Sequence, residues 1–165
     1  MWVIQEAVKA RKILVRCGSQ DVSWDAIVQV SKACQNAGYL GGYRVENSAA
    51  GTHSATVIDL LKKPGREESL MELLALTRSY KATDPRDKVF ALLGLAADGQ
   101  HFDSVNYKTK PAEVYISVAR RSLSRQRSLT CLSNAGLTDS PPLSDTRQER
   151  IDVPTWVPNC KFICS

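Results

Sequence analysis

The sequence predicts a helix-rich α+β fold, with about five helices and a few short strands. Three observations carry this. Apolar residues recur at helical spacing in "SLMELLALT" and "PAEVYISVAR"; glycine, proline and aspartate punctuate those patterns; and "ILVRC" alternates as a short strand does. A chain of 165 residues has room for one domain with a real core.

The first helix is expected from the opening residues. In "MWVIQEAVKARKILVRCG", Trp2, Glu6 and Val8 fall near one helical side, then Ile13, Val15 and Cys17 alternate and Gly18 closes the strand. A second helix follows in "SWDAIVQVSKACQNAG". Ser23 suits its N-cap, Trp24, Ile27, Val28 and Ser31 share a face, and Gly38 suits the left-handed C-terminal position. Residues 38–55, rich in glycine and small polar side chains, read as loop. Their glycines do not follow the GxGxxG order of a dinucleotide site.

Periodicity strengthens in "REESLMELLALTRSY", where Leu70, Leu73, Leu74 and Thr77 share a face behind Glu67 and Glu68. The segment "KATDPRDKVFALLGLA" is the most tightly organised of all. Asp84 suits a cap, Pro85 the first helical position, and Asp87 the spacing of a capping box. Loss of the Asp84 cap should cost about 1 kcal/mol. Val89, Phe90, Leu92 and Leu93 are wider than one stripe, so this short helix should be buried on much of its circumference, with Arg86 and Lys88 at its mouth and Gly94 at its end. Pro111 then starts a helix carrying Val114, Tyr115, Val118, Ala119 and Leu123. Its end holds Arg120, Arg121, Arg125 and Arg127, an anion-binding patch or a solvated helix terminus. Residues 138–152 read as loop, and "VPTWVPNC" as an extended tail whose Trp156 plugs onto the core.

Composition narrows the function classes. Apolar and charged shares of 43% and 24% are ordinary for a globular protein, and the net charge of +5 demands no acidic partner. No apolar run reaches a membrane span, and the opening residues lack the order of a secretory signal. Cys17, Cys34, Cys131, Cys160 and Cys164 are scattered and odd in number, which fits reduced thiols in the cytoplasm better than a disulfide framework. Neither His53 nor His101 has ligand-spaced neighbours apart from Asp103, so no metal site and no bound cofactor are expected.

Four ordered blocks together resemble the fungal heterokaryon-incompatibility (HET) domain. They are "WVIQEAVKARKILVRCGSQDVSWDAI", "ATDPRDKVFALLGLA", "VNYKTKPAEVYISVAR" and "LTCLSNAG" with "VPTWVPN". The second is the most specific. Asn106 stands where the family usually has aspartate, Asn159–Cys160 where it has aspartate–tryptophan, and Met1 where an arginine commonly precedes the tryptophan. The blocks match the latter part of that domain, so residues 1–165 are expected to be its C-terminal portion, the N-terminal half missing.

The resemblance implies a fold related to Toll/interleukin-receptor (TIR) domains, some of which cleave NAD with a helix-borne glutamate four residues after a tryptophan. Trp2 and Glu6 have that spacing. A fixed carboxylate beside the ribose would stabilise the oxocarbenium-like charge that develops as the nicotinamide bond breaks. Glu6 is therefore the candidate catalytic residue and Trp2 its support, with NAD a substrate of the intact domain. Amphipathicity alone also yields this pair, with Trp2 in the core and Glu6 solvated. Asp84, Pro85, Arg86, Asp87, Lys88 and Trp156 are expected as structural motif residues; the other reading gives Arg86 a phosphate or acidic partner at the helix mouth.

The function implied is that of a cytoplasmic effector triggering programmed cell death on non-self recognition in filamentous fungi, with protein partners. The alternative is a non-catalytic regulatory or protein-interaction fragment. Nucleic-acid binding comes third, resting on the arginine cluster alone.

Overall fold

The computed structural model describes residues 1–36, 48–78, 80–126, 132 and 153–158. Their order is α1 (Trp2–Lys9), β1 (Leu14–Cys17), β2 (Gln20–Ser23), α2 (Trp24–Asn36), α3 (Ser48–Leu61), α4 (Leu70–Leu76), α5 (Asp87–Leu93), a 3-10 turn (Gly99–His101) and α6 (Pro111–Gln126). Six α-helices and one two-stranded sheet among the described residues make a helix-rich α+β chain. It divides into two compact units, one of residues 3–66 and one of residues 1–2 with 67–165. Between α3 and α4 lies a charged Pro–Gly stretch in which Gly65 takes φ +78, a left-handed conformation costly to other residues.

In the unit of residues 3–66, β1 and β2 form an antiparallel hairpin with Val15 opposite Val22 and Arg16 opposite Asp21. Gly18 turns it with φ +61, the sign that a tight two-residue hairpin turn needs. The strand expected at Ile13–Cys17 is present as β1; β2 has no such alternation and forms because this turn lays it against β1. Ser23 then caps α2, its Oγ accepting the Ala26 N–H at 3.2 Å.

Residues 48–55, expected as loop, lie in α3 instead. Tertiary packing overrides the small polar residues there: α3 buries Ala55, Val57 and Ile58 and packs along α2. Polar ties reinforce the pair, Lys32 to Asp59 at 2.8 Å and Gln35 to Thr56 at 3.1 Å. Lys62, just beyond α3, donates to the carbonyls of Ala7, Val8 and Ala10 at 3.1, 3.3 and 2.6 Å, closing the C-terminal end of α1 with a cation. Positions 38–47 and Gly38, like the 138–152 loop, lie outside the described residues.

The second unit is built on α4, α5 and α6. Ser69 and Glu72 form a full capping box at the start of α4. The face read from the sequence is the buried one: Leu70, Leu73, Leu74 and Thr77 are 0, 1, 5 and 1% exposed. The buried Thr77 hydroxyl is satisfied by the Leu73 carbonyl at 2.7 Å. α5 buries every residue from Lys88 to Leu92, and α6 buries Val114, Tyr115, Val118 and Ala119. Each large side chain of this kind contributes about 2 kcal/mol of apolar burial.

The tail seats on the same core. Val157 and Pro158 are buried, while Trp156, expected as the plug, is half-buried. A void of about 10 Å³ remains beside Pro158, Met71, Leu74 and Tyr115, at the limit for one water.

Candidate functional site

The segment from Asp84 to Phe90 organises the polar chemistry of the second unit. Pro85 and Arg86 form a turn, and α5 proper begins at Asp87 with Arg86 in the N-cap position, not Asp84. The turn is drawn tight by i to i+3 bonds, Asp87 N–H to the Asp84 carbonyl at 3.0 Å and Lys88 N–H to the Pro85 carbonyl at 3.2 Å. Asp84 Oδ1 accepts the Arg86 backbone N–H at 2.9 Å, satisfying a donor ahead of the helix. Asp87 accepts from the Tyr107 hydroxyl.

Arg86 is held on several sides. Its guanidinium forks onto Asp84, with Nε–Oδ1 at 2.9 Å and Nη2–Oδ2 at 2.6 Å. Its Nη1 donates to the carbonyls of Tyr107 and Thr109, and its Cζ lies 5.2 Å from the Tyr107 ring centroid. Arg86 thus ties the helix start to the loop before α6. Tyr107 meets Phe90 edge-on at 5.2 Å. From α6, the buried Tyr115 hydroxyl donates to the Pro85 carbonyl at 2.7 Å.

The electrostatics follow from these bonds. The Arg86 side chain holds the Asp84 carboxyl below its ordinary value, and the same bond raises the guanidinium above its own. Hydrogen bonding to the Asp87 carboxylate pushes the Tyr107 phenol up, with burial adding to the shift. Such a cluster fixes backbone segments in place; its charges are spent on one another.

Lys88 departs from the reading at the helix mouth. It is 6% exposed, and its Nζ donates to the Arg78 carbonyl at 3.0 Å, just past the C-terminal end of α4. Because α5 is covered nearly all round, its lysine runs inward to a helix end that favours cations.

The other candidates are placed as follows. Trp2 is 41% exposed rather than in the core, and the Glu6 side chain on α1 is exposed. Arg121 pairs with Asp103 and donates to the His101 carbonyl at 2.7 Å, so one of the four arginines is committed within the unit. Arg120 and Arg125 are exposed, and Arg127 lies outside the described residues. Cys17 and Cys34 are free and exposed. Among the described residues no group of three or more His, Cys, Asp or Glu is placed to hold a metal, and no helix is long and apolar enough to cross a membrane.

A cavity of about 290 Å³ opens between α5, α6 and the 102–109 loop. Its floor is apolar, formed by Phe90, Leu93, Phe102, Val114 and Val118, while Ser104, Asn106, Thr109 and Glu113 stand among its polar lining. Sequence reasoning did not find this site. The periodic signal that marks Phe90 and Val114 as core says nothing of a gap between them.

Compared with family models, curated proteins and solved structures, the chain gives no match.

Proposed function

We propose that this chain works as the C-terminal part of a heterokaryon-incompatibility effector, a cytoplasmic module that triggers programmed cell death through protein partners. The observation that supports this most is convergence. Asp84, Arg86 and Asp87 come from the second of the resembling blocks and Tyr107 and Tyr115 from the third; they meet in one bonded cluster. Residues shared by one domain's motifs are expected to support one another in this way.

Within that effector, the geometry favours a packing role for this segment over a catalytic one. The motif charges are consumed in holding α5 to the loop before α6, and the Glu6 carboxylate is exposed. NAD cleavage, if the intact domain performs it, would draw on Glu6 as the charge-stabilising carboxylate.

The test is inducible expression of the full-length protein in a filamentous fungus, with cell death and NAD followed together. Death accompanied by NAD loss, both abolished by Glu6→Gln, assigns the chemistry to Glu6. Death that Glu6→Gln leaves undiminished removes Glu6 from the mechanism and supports the packing role. No death from the full-length protein overturns the effector proposal.

A further inference from the structure

We propose that the cavity between α5 and α6 is a binding site for a small organic cation, an ammonium carrying an aromatic or branched apolar group. The volume of about 290 Å³ is close to the lower bound for small-molecule sites and holds about ten water-sized groups. Its floor would take an apolar body. Phe90 and Val114 are buried core residues, whereas Leu93 and Phe102 are half-buried and leave apolar surface open to the space.

Charge selects the head group. Two carboxylates stand among the lining residues, and their situations differ. Both oxygens of Asp103 are engaged, one by Arg121 and the other by the Ser117 hydroxyl at 2.8 Å. Glu113, in the first turn of α6, is exposed and forms no hydrogen bond or ion pair among the described residues. Its carboxylate is the uncompensated charge of the site. Asn106 has its side-chain oxygen occupied by the Lys108 N–H at 2.9 Å, so its amide N–H groups remain as donors beside the Ser104 and Thr109 hydroxyls. An apolar hollow with aromatic walls and one uncommitted carboxylate is complementary to an amphiphilic amine and repels an anion. This inference stands apart from the effector proposal and survives its failure.

The experiment titrates the whole chain with 2-phenylethylamine and with its uncharged counterpart 2-phenylethanol, following backbone amide resonances. The amine should give saturable shifts confined to residues 90–93, 102–109 and 113–118, and should bind about fivefold more tightly than the alcohol, as a part-exposed ion pair supports. Glu113→Gln, a surface change that should leave the rest of the spectrum intact, should bring the two ligands to equal affinity while alcohol binding persists. Equal affinity on the unaltered chain, an amine preference that survives Glu113→Gln, or no saturable shift with either ligand would overturn the proposal.

Discussion

Replacing Tyr115 by phenylalanine removes a single oxygen and keeps the ring that packs against α5. Tyr115 is 3% exposed, and its hydroxyl donates to the Pro85 carbonyl at 2.7 Å. A buried neutral hydrogen bond contributes about 1 kcal/mol net, and an acceptor left wholly unpaired costs more. Pro85 is not left unpaired, because its carbonyl also receives the Lys88 N–H at 3.2 Å. The expected loss is therefore about 1 kcal/mol, a fall of about 2–4 °C in melting temperature for a chain of this size. Thermal unfolding followed by circular dichroism measures it, and hydrogen exchange locates it. The Lys88–Phe90 amides should lose protection, because the turn before α5 loses its tether to α6. An unchanged melting temperature with unchanged protection at those amides would refute the argument that α6 anchors the motif.

Asp84 and Tyr107 predict opposite pH limits for the same cluster. The Asp84 carboxyl is lowered below its ordinary 3.8, so its contribution is full above that value and lost as pH falls through the folded one; Asp84→Asn should flatten the acid limb of a stability–pH curve measured by urea unfolding. Tyr107 is raised above its ordinary 10.0, so its contribution is full below that value and lost as pH rises through the folded one; Tyr107→Phe should flatten the alkaline limb. Gly99→Ala should destabilise the chain by about 1–3 kcal/mol, because the new Cβ would meet the Leu93 carbonyl oxygen at 2.0 Å and backbone must move; a neutral result by chemical denaturation would contradict that close approach.

Much of the second unit was legible as pattern. The helix-period face of α4 is buried, that of α6 is buried at Val114, Tyr115, Val118 and Ala119 while Leu123 is half-buried, and the unbroken apolar run of α5 reports a helix covered nearly all round. The capping box at Ser69 and Glu72 and the turn-forming Pro64–Gly65 pair near the end of the unit of residues 3–66 were also written in the sequence. In the cluster, the Asp84–Arg86 contact is local in sequence. Tyr107 stands 20 residues from Asp87, and nothing in its own neighbourhood names that partner.

Local chemistry therefore determined where helices begin, which faces are apolar and where turns fall, since those depend on side chains within a few residues of one another. Tertiary structure decided the rest. It made a helix of residues 48–55 through packing on α2, turned Lys88 inward to the Arg78 carbonyl, tied Arg86 to the Tyr107 and Thr109 carbonyls, and left Glu113 alone beside a cavity. Each of those outcomes depends on groups far apart along the chain, whose distances exist only once the helices have packed.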